Sequence, residues 1–191
     1  MSVALQAEAR MNDAELVAHI ASGDLHSLGK LYDRYSRDIR RFVGRLGVHA
    51  NHIDDLVQTT FLEVTHAAPR YDGRVAVKNW LFGIAAIAVR RHRRSLSRLA
   101  ARIDAWAREL SVFPSAVSPA DDYDASHEAR RAMRALDKLS AKKREVFLMV
   151  AVENASGEET ARALGIPLAT VWTRLHHARR ELRAQLAEEE P

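Results

Sequence analysis

The sequence contains no cysteine, few prolines and no apolar stretch long enough to cross a bilayer. The missing cysteine excludes disulfides, thiolate zinc sites and cysteine nucleophiles, and it suits a reducing cytosol. The longest apolar run, Trp80 to Val89, is about half of the roughly 20 residues that a membrane-spanning helix needs. The first residues lack a basic segment followed by an apolar core, which predicts that there is no signal peptide. We therefore expect a soluble, cytoplasmic protein without membrane insertion.

Neither sign of charge dominates the chain. The 29 basic and 25 acidic residues leave a formal net charge of +4, so the sum alone indicates no nucleic-acid partner. Hydrophobic residues make up 47% and charged residues 28% of the 191 residues, as in globular chains. This length holds one domain of ordinary size or two small ones.

Strand-type alternation is almost absent, and the 5 prolines and 8 glycines fall mostly between segments of helical periodicity. Helices are predicted at 12–20, 27–46 and 52–68, from 77 into an arginine-rich stretch, and at 126–139, 141–153, 157–164 and 169–188. Pro114, Pro119 and an acidic run at 121–124 predict a flexible linker over 99–125, with one helical turn at 103–110. The predicted fold is all-α, with two small helical domains, 12–98 and 126–187, joined by that linker.

The clearest local motif lies near the C-terminus. Ser156 and Glu159 form a capping box that begins a short helix, and Gly165 suits the sharp turn that ends it. Pro167 then fits the start of a longer helix with one apolar face. This order predicts a helix-turn-helix, whose second helix can lie in a DNA major groove; a helical hairpin with a solvated basic face is the alternative. The outward positions of the longer helix are Trp172, Thr173, His176, His177, Arg179, Arg180 and Arg183.

The first domain carries a basic segment without acids. Six arginines lie between Arg90 and Arg102, which favours contact with a phosphate backbone over a solvated charge run. Trp80 and Phe82, just before them, could stack on unpaired bases or belong to the core. The preceding helix has a polar face formed by Asp54, Asp55, Gln58 and Glu63.

Two groups of motifs resemble one family. Residues 55–62 (DLVQTTFL) and 80–85 (WLFGIA), followed by the arginines, are similar to region two of the extracytoplasmic-function (ECF) sigma factors of the sigma-70 family. Residues 139–147, 156–167 and 170–175 are similar to region four of the same family. Both groups occur in the family's order and spacing, and together they cover about 12–98 and 126–186. The resemblance implies a promoter-reading subunit of RNA polymerase, not an enzyme, with no metal or cofactor.

The resemblance also implies a role for particular residues. The partners it implies are core RNA polymerase (the clamp coiled coil of the largest subunit and the flap of the beta subunit), promoter DNA and, in many members, an anti-sigma factor. The residues implied in core polymerase binding are Asp54, Asp55, Gln58, Thr59 and Glu63. Those implied in reading and melting the minus-ten element are Lys78, Asn79, Trp80, Ile87, Arg90, Arg91, Arg93 and Arg94. Those implied in reading the minus-thirty-five element are Thr170, Trp172, Thr173, Arg174, His176, His177 and Arg180.

Several positions depart from the family pattern. Thr59 stands where the family usually has Glu, and Ile87 where it often has an Asn that helps to accept a flipped base. Gly157 replaces a usual aromatic residue, and Trp172 replaces a usual Lys or Arg. We therefore expect an unusual promoter preference.

Three other interpretations compete. A helix-turn-helix regulator that acts without polymerase would explain 156–182 but not the polar face or the arginines. A sigma mimic that sequesters an anti-sigma factor would need no basic DNA-binding face. An enzyme or metal protein would have to use the 9 histidines, but His49 and His52 are predicted in a loop, and the adjacent His176 and His177 point apart on a helix.

Overall fold

The computed structural model describes residues 11–110 and 127–188, and every regular element in these two ranges is helical. The first domain consists of α1 (Asp13–Ala21), α2 (Leu25–Arg45), α3 (Ala50–Ala67), a 3-10 turn (Ala68–Arg70) and α4 (Val77–Leu110). The second consists of α5 (His127–Lys138), α6 (Ala141–Phe147), a π-helical turn (Leu148–Val152), α7 (Gly157–Leu164) and α8 (Leu168–Glu188). The prediction of an all-α fold with two helical domains is confirmed.

Polar side chains determine where the first helices begin. Asn12 accepts a hydrogen bond from the backbone N–H of Glu15, whose side chain accepts one from the N–H of Asn12, each at 2.9 Å. This reciprocal cap satisfies two of the backbone donors left free at a helix start. Helix α3 begins earlier than predicted because the ring of His49 accepts a hydrogen bond from the N–H of Asn51. His52 therefore lies in the first turn of α3, in line with the helix predicted from 52, and the competing prediction that it lies in a loop was wrong.

The core of the first domain is aromatic and aliphatic. Phe42 of α2 and Phe82 of α4 are fully buried and stack with ring centroids 4.5 Å apart. Phe82 is thus a core residue rather than a base-stacking one. Trp80 is half-buried, with its ring 4.8 Å from that of Tyr71, at the edge of the same core.

Helix α4 is longer than predicted. It continues through Leu110, so residues 99–110 of the predicted linker are helical. The reason lies in the composition, since this stretch is rich in Ala, Leu and Arg and the first proline comes only at Pro114. Residues 111–125, the rest of the predicted linker, lie outside the described residues, as does residue 126, the predicted start of the second domain.

The second domain contains the predicted helix-turn-helix. Ser156 and Glu159 form the capping box at the start of α7, and Gly165 ends it in the left-handed conformation, with φ 64° and ψ 41°. Helix α8 then buries Val171 and Leu175 against α6 and α7. This packing leaves the opposite face of α8 open to solvent.

The two domains pack against each other, with α4 of the first domain in contact with α7 of the second. At one point the helix backbones come close, because Gly83 faces the main chain of Ala163. In the two described ranges, no helix is both long enough and apolar enough to span a membrane.

Candidate nucleic-acid interface

Helix α8 presents polar and aromatic side chains on its open face. Thr173, His176, Arg179 and Arg180 are exposed, and Trp172 keeps 51% of its surface accessible. His177 is half-buried, with its ring Nδ1 3.2 Å from an Arg180 nitrogen. Cations, donors and acceptors on the first turns of such a helix can contact phosphates and base edges in a major groove.

Three residues predicted for this surface lie deeper than the rest. Thr170, Arg174 and His177 are half-buried, whereas the other four are exposed. Arg174 lies near enough to the buried Glu145 to act on that carboxyl group electrostatically. The structure therefore brings four of the seven predicted residues, Trp172, Thr173, His176 and Arg180, together on the exposed face.

The indole of Trp172 covers Gly157, the first residue of α7. A Cβ atom built on Gly157 would lie 2.5 Å from one carbon of the indole ring and 3.0 Å from another. A side chain at position 157 would therefore push the indole away from its present place. The two departures from the family pattern are physically linked, because the ring of residue 172 occupies the space that a side chain at 157 would need.

The predicted minus-ten residues lie along the first turns of α4 and its arginine-rich part. Asn79 is buried, Lys78, Trp80 and Ile87 are half-buried, and Arg94 is exposed. Ile87 has no polar side-chain atom, so it can offer a base only apolar contact. In this conformation the segment exposes only part of the surface predicted for single-stranded DNA.

Most of the cations in this segment already have acceptors. The Lys78 ammonium lies 3.2 Å from Asp38 and 3.4 Å from Glu153. Arg90 lies 3.8 Å from Glu145 of the second domain, and Arg93 donates to the carbonyl of Leu46. These groups are available to a phosphate only after they exchange partners.

The predicted polymerase-binding face on α3 is open. Asp54, Asp55, Gln58 and Thr59 are all exposed, and the Thr59 hydroxyl donates to the carbonyl of Asp55 at 2.7 Å. Near them, Glu63 pairs with Arg91 of α4 at 2.7 Å. The domain core lies behind this face, and Asp54 also forms an ion pair with Arg40 of α2.

Sequence reasoning missed two features. Leu62 lies beside the polymerase-binding face with 63% of its surface exposed. The sequence could have identified Leu62, because it is a leucine that lies outside the apolar stripe of α3. The second feature consists of three carboxylates of the second domain, Glu145, Glu153 and Glu159, that face the first domain. Only the packing of the two domains brings them there, so no local pattern could have identified them.

Three histidines of the first domain, His49, His52 and His92, form a small ring cluster. The centroids of His52 and His92 are 4.8 Å apart, and those of His49 and His52 are 6.3 Å apart. Burial lowers the pKa of His92, and the neighbouring His52 and Arg93 lower it further. Among residues 11–110 and 127–188, no group of three or more histidines and carboxylates has the arrangement of a metal site.

Comparison with known proteins identifies both domains. Residues 31–99 match the model of Sigma-70 region 2, and residues 129–182 match that of Sigma-70, region 4. The chain is 30% identical to the RNA polymerase sigma factor NccH of Alcaligenes xylosoxydans xylosoxydans, over 91% of this chain and 94% of that protein. It is also 30% identical to the ECF RNA polymerase sigma factor SigM of Mycobacterium tuberculosis, over 90% of this chain and 83% of that one.

A solved structure extends the likeness to the fold. The structure of CnrH in complex with the cytosolic domain of CnrY superposes with a TM-score of 0.66 at 28% identity, covering 93% of this chain and 99% of that one. CnrH is an RNA polymerase sigma factor of Cupriavidus metallidurans. The order of the two regions, their helices and these relatives agree, and the chain belongs to the sigma-70 family as an ECF sigma factor, a protein of promoter-specific transcription initiation.

Proposed function

We propose that the chain binds core RNA polymerase in the cytoplasm and directs it to promoters by reading two DNA elements, without catalysing a reaction itself. The observation that carries the proposal is the presence, in one chain, of an open acidic face on α3 and an open polar face on α8. A DNA-binding regulator that acts without polymerase needs only the second of these faces.

In this proposal the first domain contacts both polymerase and the minus-ten element. Asp54, Asp55, Gln58, Thr59 and Glu63 dock on the clamp coiled coil of the largest subunit. The exposed carboxylates and amide suit a basic or polar partner, and the neighbouring Leu62 adds apolar area. The start of α4 and its arginines then hold the melted minus-ten strand through phosphates and stacked bases.

The second domain would read the minus-thirty-five element as a duplex and contact the flap of the beta subunit. Thr173, His176 and the edge of Trp172 lie where the first turns of α8 would meet base edges. Arg179 and Arg180, one turn later, are placed to hold the backbone. The family resemblance also suggests an anti-sigma factor as a protein partner.

Run-off transcription with purified core polymerase tests the proposal. The template is the DNA upstream of the protein's own gene, because such sigma factors often control their own promoters. A discrete transcript that requires the protein supports the proposal, and a chain that binds DNA but directs no transcript from any template supports the regulator instead.

The polymerase contact has its own test in Asp55→Arg. Because Asp55 is exposed on α3, the substitution should leave the fold intact and place a like charge against the clamp. We expect retention by immobilised core polymerase to fall at least about tenfold, which corresponds to ~1.4 kcal/mol. Asp33→Arg, on the exposed surface of α2, is the matched control. Equal retention of Asp55→Arg and the wild type would remove this face from the assignment.

A further inference from the structure

The first two turns of α8, which a major groove would receive, are apolar on their open side. Leu168 keeps 40% of its surface accessible, and Trp172, one turn later on the same side, keeps 51%. Ala169 and Thr173 lie beside them and are exposed as well. The first exposed arginine of this helix is Arg179, about two turns beyond Trp172. The helix therefore presents an apolar surface where base edges would lie, and charge only further along.

The side chain of Thr173 adds to this apolar character. Its hydroxyl donates to the carbonyl of Ala169 at 2.9 Å, so the proton is used within the helix. A partner would meet only its methyl group and the lone pairs of its oxygen. Between 168 and 176 the exposed residues include no Arg, Lys, Asn or Gln, the side chains that pair with guanine and adenine. Besides that oxygen, the polar groups on this surface are the indole N–H of Trp172 and the imidazole of His176.

The indole of Trp172 is held in place before any DNA binds. Its six-membered ring rests on Gly157 at the start of α7, where even a Cβ atom would come within 2.5 Å of it. The ring also borders an open groove of about 340 Å³, which follows α8 from Trp172 past His176 to Arg183. A fixed aromatic ring loses little freedom on binding, so its contact area is gained at a low entropic cost.

Thymine is the base that suits such a surface. In the major groove all four bases offer hydrogen-bond donors or acceptors, and only thymine also offers a methyl group, at C5. An indole against guanine, cytosine or adenine removes water from polar atoms without replacing their hydrogen bonds, which costs free energy. Against thymine the indole instead buries the methyl group, which is favourable.

We propose that Trp172 is a specificity-determining residue for the minus-thirty-five element, and that it selects thymine through contact of the indole with the C5 methyl group. Leu168 extends the same apolar surface toward a neighbouring base pair. The inference rests on the proposed reading of this element by α8. A contact that depends on one methyl group thus replaces the charged contact that Arg or Lys would make at position 172.

Uracil in place of thymine tests this contact, because the two bases differ only in the methyl group. The full-length protein first enriches duplexes from a random-sequence library, and each thymine of the enriched element is then replaced singly by uracil. We expect binding of the wild type to fall about fourfold at one or two positions, the value expected for burial of one methyl group. Fluorescence anisotropy at fixed salt measures each affinity.

Substitutions in the protein distinguish Trp172 from the rest of α8. Trp172→Arg should abolish the difference between thymine and uracil, while the added cation maintains affinity for both duplexes. Arg179→Ala is the matched control, since it should weaken both duplexes by the same factor and keep the difference. Gly157→Ala gives a second route, because it displaces the indole while position 172 keeps its tryptophan, and it should reduce the difference. Circular dichroism confirms that each variant keeps its helices.

The outcomes separate this inference from the proposed function. If uracil changes binding at no position, or if the enriched element contains only G·C pairs, the inference fails while the proposed reading of DNA stands. It also fails if Trp172→Arg keeps the full difference, because another group then contacts the methyl. If no duplex is enriched at all, α8 does not read a duplex, and the proposed role of the second domain fails together with the inference. Run-off transcription tests the proposed function separately.

Discussion

At the scale of single residues, Trp172 and Gly157 determine the shape of the DNA-facing end of the second domain. The indole is half-exposed and lies on Gly157, so it serves both packing and the surface that meets DNA. Glycine is needed at 157 because of this close approach and not because of its backbone angles, since 157 begins a regular helix.

The energetic coupling between Trp172 and Gly157 can be measured with a double-mutant cycle. Trp172→Ala should lower the free energy of unfolding by about 1 kcal/mol, roughly half the value for a fully buried aromatic side chain. Gly157→Ala should cost about 1 kcal/mol in the wild type, because the indole must move, and close to nothing in the Trp172→Ala background. Chemical denaturation of the four proteins gives the coupling. The same cost of Gly157→Ala in both backgrounds would contradict the packing described.

His176 and Arg179 should differ in what they contribute to binding. His176 is exposed near the start of α8, where base edges are reached, and Arg179 is exposed one turn further on. We expect His176→Ala to change the ranking of duplexes with altered minus-thirty-five sequences. Arg179→Ala should weaken all of them about equally and lower the salt dependence by about one phosphate contact. Equal loss on every duplex from His176→Ala would show that this histidine does not read bases.

At the scale of elements, the start of α7 depends on a charged cap. Hydrogen bonds from the backbone N–H groups of Ser156 and Ala76 and from Asn79 lower the pKa of Glu159 below its ordinary value of 4.5. A carboxyl group whose pKa is lowered on folding stabilises the fold above its unfolded value, and this stabilisation is lost as the pH falls through the folded pKa.

Glu159→Gln should therefore lower the melting temperature by a constant amount at neutral pH and by a shrinking amount below pH 4.5. Glu158→Gln is the matched control, because Glu158 is the exposed neighbour in the same first turn. Thermal unfolding of the three proteins across the acid range checks this expectation. A gap between wild type and Glu159→Gln that stays constant with pH would mean that the charge of Glu159 does not matter.

The helices themselves were largely predictable from the sequence, because their causes are local. The reciprocal caps at Asn12 and Ser156 and the left-handed turn at Gly165 depend on residues within one turn of the chain. The end of α4 was not predictable in this way, since no strong terminator follows the arginines and the helix simply continues to Leu110. The π-helical turn at Leu148–Val152 also escaped prediction, because no separate sequence signal marks it.

At the scale of the whole molecule, periodicity predicted which faces of α3 and α8 are exposed. It did not predict which surface of α4 is covered by the second domain. Sequence patterns place Asp55 and His176 outward because the apolar stripes of α3 and α8 must turn inward. Lys78 and Arg90 form ion pairs with Glu153 and Glu145, respectively. These carboxylates are more than fifty positions away in the chain and in another domain. Contacts over such separations leave no periodic trace, and they decide which cations are available to DNA.

Glu145 gives the stability of the fold a specific dependence on pH. Burial raises the pKa of its carboxyl group above the ordinary 4.5, although four cations oppose the shift. These are Arg90 and Arg93 on α4, Lys142 on α6 and Arg174 on α8. Both carboxylate oxygens are buried without a hydrogen-bond donor. The charged form therefore costs free energy in the folded chain, and this cost is fully present above the raised pKa and disappears as the pH falls toward 4.5.

We therefore expect Glu145→Gln to raise the free energy of unfolding at neutral pH, because it removes a buried charge that its surroundings do not fully compensate. Glu153→Gln should lower it, since that carboxylate pairs with both Arg45 and Lys78. Chemical denaturation of the three proteins measures both effects. As the pH falls toward 4.5, the advantage of Glu145→Gln over the wild type should shrink, because the wild-type carboxyl group becomes neutral. A loss of stability in Glu145→Gln at neutral pH would instead mean that the pair with Arg90 outweighs the cost of burial.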